Sequence, residues 1–208
     1  MRNSKTRVMS ITAMFAAIAS LLMFFEMPLP FMPPFLKLDI SSVPVLILGF
    51  MFGPMPAVMA AAVKDIVHVF STQTGGVGEL ADFLITSSFA VTASLVYTKN
   101  KSKKGALLGC AAGVVAITIV GMLANKFLLI PFFMKVMPIE AIVGACAAIN
   151  PLIGSIDTYI IFGAGPFNMI KGIIVSFITI LVYKRVSTAL KSEFKRNRVL
   201  TQETKVQK

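Results

Sequence analysis

The sequence predicts an all-α fold, an integral membrane bundle of six transmembrane helices with an external loop or cap before the last one. Three observations carry this. Hydrophobic residues make up 56% of the 208-residue chain and charged residues only 14%, with a mean hydropathy of +0.83. A soluble domain of this length could not cover that much apolar surface. The length leaves room for about six spans of roughly 20 residues and for no separate soluble domain. Finally, the net charge of +11 is clustered. Arg2, Lys5 and Arg7 form one group, Lys99, Lys101, Lys103 and Lys104 a second, and the stretch from Lys184 and Arg185 through Arg198 a third. Each flanks a long apolar run, which is the positive-inside pattern and argues for anionic lipid rather than nucleic acid as the partner of this charge.

The first span is expected at about Val8 to Phe25. Its basic start and apolar run resemble a signal peptide, but Glu26-Met27-Pro28-Leu29-Pro30 follows instead of a small-residue cleavage site, so the segment reads as a retained helix. Pro28, Pro30, Pro33 and Pro34 then enforce a stiff external loop. Span two is short, near Ile40 to Met51, and Gly53-Pro54 turns it into span three, near Met55 to Phe70. A Gly/Thr-rich loop from Ser71 to Gly78 leads to span four, about Glu79 to Tyr97. The basic loop Lys99 to Lys104 precedes span five, Gly105 to about Phe133, and span six runs from Pro166 to Tyr183.

Asn150-Pro151, Gly154 and Asp157 interrupt the apolar stretch from Met137 to Gly165, which makes it an external cap or re-entrant element. Four spans before the basic loop and two after it put both termini and that loop on the cytoplasmic side. Residues 1–190 form the membrane domain in this reading, and 191–208 a basic, disordered cytoplasmic tail.

Polar residues in this frame gather toward the outer face. Asn168 and Lys171 are three residues apart, hence on one face at the mouth of span six. A lysine at mid-bilayer costs about 2.5–3.5 kcal/mol, so one retained in a span points to a bound ligand or partner group. Asn125 shares a face of span five with Thr118 and Gly121, either as a ligand contact or as interhelical hydrogen-bond glue. Glu79 and Asp82 open span four, where the helix dipole alone explains Asp82. Lys126 points away and reads as a snorkelling cation. Lys64 and His68 lie one turn apart beside Asp65 and read as a structural cluster, the His lacking a carboxylate on its own face. Cys110 and Cys146 make no spacing motif and read as packing residues. Ala13, Ala16, Ala17 and Ala19 give span one a small-residue face for close helix approach. The sequence contains no phosphate loop, no H-E-x-x-H or Cys/His metal site and no nucleophile elbow. ATP-driven work therefore requires another chain, and no metal or catalytic residue is assigned.

Several segments, in order and spacing, carry a resemblance. They are Phe35-Leu36-Lys37-Leu38-Asp39, Pro44, Gly49-Phe50-Met51-Phe52-Gly53-Pro54, Thr74-Gly75-Gly76-Val77-Gly78-Glu79-Leu80, Lys103-Lys104-Gly105 and Pro166-Phe167-Asn168-Met169-Ile170-Lys171-Gly172. Together they resemble the riboflavin-specific substrate-binding subunits of energy-coupling factor (ECF) transporters over about Leu29 to Ser187. The resemblance implies a six-helix subunit in a bacterial cell membrane that takes riboflavin from outside. It implies docking onto a transmembrane coupling subunit with two ATPases, riboflavin being cargo and no cofactor being needed. It also implies flavin contacts at Glu79, Asn125, Asn168 and Lys171, with Leu36, Leu38 and Asp39 in a lid or wall and a Phe-rich first loop against the ring. Asp82 stands where an Asn is typical, and Lys126 where an aromatic is. Ala13 and Ala17 are the expected docking positions. The alternatives are a subunit for another vitamin or a solitary proton-coupled carrier.

Overall fold

The computed structural model describes residues 2–29, 32–33, 36–183 and 185. Helix α1 spans Arg2–Met23, and a two-residue antiparallel ribbon pairs β1 (Met27–Pro28) with β2 (Lys37–Leu38). Then follow α2 (Ser42–Phe52), α3 (Pro54–His68) and α4 (Val77–Lys99). Helix α5 is continuous over Lys103–Val136, α6 is Ile139–Ala147, and α7 runs over Ile156–Tyr183. Among the described residues, four helices are long and apolar enough to cross a membrane: α1 from Lys5, α4, α5 and α7.

Short α2 is the centre of the bundle. Every residue from Ser42 to Phe50 is buried, which is why its sequence is apolar all round rather than striped. Gly53, at φ 92, provides the sharp reversal into α3, and Pro54 starts α3 where its missing N–H costs nothing. Helices α4 and α5 form the most extensive pairing. Gly109 lets them meet closely, since a Cβ there would lie 2.6 Å from the Ala93 carbonyl oxygen. At the basic end of the bundle, Phe50, Tyr97 and Tyr183 pack as an aromatic cluster, the two tyrosine hydroxyls 2.8 Å apart. Leu107, Leu108, Val115 and Ile119 on α5 are more than half exposed, as lipid-facing side chains would be.

Two boundaries differ from the sequence expectation. The last helix begins at Ile156, ten residues before Pro166. Ser155 and Thr158 form a capping box there, with the Ser155 hydroxyl accepting from the Thr158 N–H and the Thr158 hydroxyl from the Ser155 N–H. Part of the expected cap is therefore the first turns of α7, and only α6 and the turn after it stand apart. Helix α5 also continues past Phe133, absorbing Pro131 because a π-turn over Asn125–Leu129 precedes it. A second π-turn, Ile160–Ala164, lies in α7. The expected disordered tail, 191–208, lies outside the described residues.

Candidate functional site

A cavity of about 450 Å³ opens between the ribbon, the loop after α3 and helices α4, α5 and α7, within the range of small-molecule sites. The structure brings Leu36, Asp39, Glu79, Asn125, Asn168 and Lys171 together on its walls. Leu38 instead sits half-buried against the apolar cluster of Leu36, Ile130, Tyr159 and Phe167. Met23, Ile85, Leu129, Phe133 and Phe167 supply apolar wall. Phe31 and Phe35 of the first loop, expected against the ring, lie outside the described residues.

The floor is a buried chain of ion pairs. Lys171 donates to Asp39 at 2.7 Å and to Asp82 at 3.0 Å, and Asp82 also pairs with Lys64, which donates to Asp65 at 2.7 Å. Thr86 donates to Asp82 at 3.1 Å, and Asp39 accepts from the Ser41 N–H at 2.8 Å and from the Ser41 hydroxyl. Reading Asp82 as a helix-dipole residue is thus overturned: it joins α3 to α7. Lys171 also does not sit at a helix mouth. With α7 starting at Ile156, Asn168 and Lys171 lie twelve and fifteen residues along it, about 18 and 22 Å at 1.5 Å per residue. The ammonium is buried there, its side chain 5% exposed, and the two carboxylates offset its desolvation.

The rim is tied separately. His68 Nδ1 is 3.0 Å from Glu79 Oε1, so the histidine has the carboxylate partner it lacks within its own helix. Thr72 and Thr74 hydroxyls donate to Glu79 Oε2 at 2.8 and 3.3 Å. Glu79 thereby fastens the Gly/Thr-rich loop to α4. Lys37 on β2 pairs with Glu26 and donates to Gln73 at 3.1 Å, tying the ribbon to the same loop. Lys126 pairs at 2.9 Å with Asp157 on the exposed outside, away from the site.

The two asparagines meet around Gly121. Asn125 Nδ2 donates to the Gly121 carbonyl at 2.8 Å, and Asn168 Nδ2 donates to the Ala164 carbonyl at 2.8 Å. A Cβ at position 121 would lie 2.4 Å from Asn168 Cγ, so only glycine admits this contact. Each amide keeps a second N–H, and Lys171, with two of its three donors engaged, keeps one. The site can therefore offer several fixed donors beside flat apolar walls. Of the structural cluster expected from the sequence, Lys64 and Asp65 do pair, at 2.7 Å, while His68 turns to Glu79. Sequence reasoning did not join Lys64 and Asp65 to Asp82 in this floor, and it missed Tyr159, whose hydroxyl donates to Asn125 Oδ1 at 2.7 Å.

Comparison with known proteins gives the family of the chain. Residues 7–183 match the family "ECF transporter, substrate-specific component". The chain is 35% identical over 179 residues to the riboflavin transporter RibU of Staphylococcus aureus, covering 86% of this chain and 89% of that protein. It is 27% identical over 182 residues to the riboflavin transporter FmnP of Bacillus subtilis, covering 86% and 91%. A solved structure of the S component of a bacterial ECF transporter superposes with a TM-score of 0.72 at 33% identity, covering 90% of this chain and 99% of that one. The cavity and its buried polar floor thus belong to a transporter component rather than an enzyme, and the chain is a member of the family of ECF transporter substrate-specific components.

Proposed function

We propose that this chain is the riboflavin-capturing subunit of an ECF-type uptake transporter. The observation that carries the reading is the convergence of Asn125, Asn168 and Lys171 from α5 and α7 on one apolar-walled cavity. Riboflavin has a flat ring whose edge alternates acceptors with a single N–H, and a flexible polyol. The ring edge suits the remaining N–H groups of the two amides and of Lys171. Its faces suit Phe133, Phe167 and Leu36. The polyol reaches toward the rim, where Glu79, Lys37 and the threonine loop stand, while Asp39 holds Lys171 in the floor and Leu38 backs the wall. Riboflavin is cargo here, not a cofactor.

In this reading α2 and α3 complete a six-span bundle with α6 as the outer cap, and both termini face the cytoplasm of a bacterial cell. Energy comes from a transmembrane coupling subunit carrying two ATPases. They dock on the exposed α1 face that includes Ala13 and Ala17. Phe15, Ala16 and Ala19 on the other face are buried, which leaves Ala13 and Ala17 free for a partner. Protein purified from cells grown with riboflavin should be yellow and show a flavin absorption spectrum. A colourless protein that leaves added riboflavin fluorescence unquenched would overturn the ligand assignment. Riboflavin uptake by liposomes containing this chain alone, abolished by an uncoupler, would overturn the assignment to an ATPase-driven complex.

A further inference from the structure

Tyr159 packs in the buried apolar cluster with Ile130, Ile153 and Phe167, yet it carries a hydroxyl. It is 1% exposed and stands on α7 immediately before the π-turn Ile160–Ala164, opposite the α5 π-turn that begins at Asn125. Its hydroxyl reaches Asn125 Oδ1 at 2.7 Å, while Asn125 Nδ2 is held by the Gly121 carbonyl at 2.8 Å. A carbonyl only accepts, so the atom facing Gly121 is the nitrogen, the atom facing Tyr159 is the oxygen, and the tyrosine donates. Gly163 makes room for the phenol, since a Cβ there would lie 2.8 Å from Tyr159 Cδ2. The amide's oxygen is thus held toward Tyr159 inside the protein, and its second N–H is left unengaged for the cavity.

We propose that Tyr159 is a positioning residue that fixes the Asn125 amide as a hydrogen-bond donor toward the ligand, so that this wall selects for an acceptor on the flavin ring edge. The inference rests on the riboflavin reading above. Without the phenolic hydroxyl, Asn125 Oδ1 has no donor at a position only 2% exposed. An unpaired buried acceptor is costly, and turning Oδ1 toward the cavity to relieve it sets acceptor against acceptor.

The test uses full-length, detergent-purified protein and riboflavin fluorescence titration. Tyr159→Phe should weaken binding about tenfold, the equivalent of one neutral hydrogen bond of about 1.4 kcal/mol. In an Asn125→Ala background the same substitution should change affinity less than about twofold, because no amide remains to orient. An equal loss in both backgrounds would make Tyr159 a packing residue and overturn the proposal. The absorption spectrum of bound riboflavin provides a second readout when the double variant binds too weakly to titrate. Loss of a donor at the ring edge should shift the visible band in Tyr159→Phe alone, and an unshifted band would also overturn it. Wild-type protein that fails to bind riboflavin at all would reject the ligand reading rather than the role of the tyrosine.

Discussion

Lys171 Nζ lies 2.7 Å from Asp39 Oδ2 although the two residues are 132 positions apart in sequence. The pair ties the segment that leads from the ribbon into α2 to the middle of α7, and both side chains are at most 6% exposed. Lys171, proposed above as a ligand contact, is therefore also a structural tie between the first and last parts of the bundle.

Asp39→Asn should accordingly damage stability and binding together. Removing one partner of a buried pair costs about 3–5 kcal/mol when nothing replaces it. Because Asp82 still holds Lys171, a loss of roughly 2–3 kcal/mol is expected, read as a lower melting temperature in detergent. Lys171→Met combined with Asp39→Asn should cost less than the sum of the two changes, since neither charge is then orphaned. Additive losses would show that the pair is not coupled.

Asp82 offers a sharper contrast. It accepts from both Lys64 and Lys171, whereas Asp157 pairs with Lys126 where the side chains are 78% and 49% exposed. Asp82→Asn should lower the melting temperature strongly and reduce expression. Asp157→Asn should cost less than about 0.5–1 kcal/mol, as exposed pairs do. Comparable melting temperatures for the two variants would contradict the buried network.

These residues also mark how far the sequence could be read. The long apolar runs and the Asn168–Lys171 face were legible because spacing alone fixes which residues share a helix face. The partners of Lys171 were not, since Asp39 and Asp82 reach it from other elements and no local pattern records that. Tyr159 was hidden for a different reason. Asn150-Pro151 and Gly154 look like breakers of the whole segment, yet Ser155 and Thr158 restart the helix at once. A Ser-x-x-Thr cap directly before an apolar run was the available signal. The π-turns have no comparable signature. They place Asn125 and Tyr159 opposite each other through tertiary packing rather than through residue spacing.

Gly121→Ala tests the meeting of the two asparagines. The added methyl would lie 2.4 Å from Asn168 Cγ, so that amide must move. Riboflavin affinity should fall roughly 5- to 150-fold, the range expected for Asn168→Ala itself if about 1–3 kcal/mol of contact is lost. Gly144→Ala, where a Cβ meets nothing within 4 Å, is the matched control and should bind as the native protein does. Unchanged affinity in Gly121→Ala would remove Asn168 from the site.

Topology can be read by thiol labelling in intact cells. Both native cysteines are buried, and burial pushes the Cys146 thiol up to about 11, which keeps background reaction low. A cysteine at Gln73, on the exposed loop at the cavity rim, should react with an impermeant reagent. One at Lys101 should react only after the cells are opened. Labelling of Lys101→Cys from outside would invert the bundle and point the cavity inward.

The last prediction separates capture from energy coupling. On α1, Ala16 and Ala19 are at most 1% exposed, while Ala13 and Ala17 lie on the exposed face with Met14, Ile18 and Leu21. Small side chains in an otherwise bulky apolar face allow a partner helix to approach closely. Ala13→Leu or Ala17→Leu should therefore abolish uptake by the complete complex while changing riboflavin affinity of the isolated chain less than about twofold. Ala16→Leu and Ala19→Leu should behave differently, because overpacking a filled interior typically costs about 1–3 kcal/mol and lowers stability of the isolated chain as well. If Ala13→Leu instead weakens binding and stability as Ala16→Leu does, that face packs within the bundle and the coupling subunit docks elsewhere.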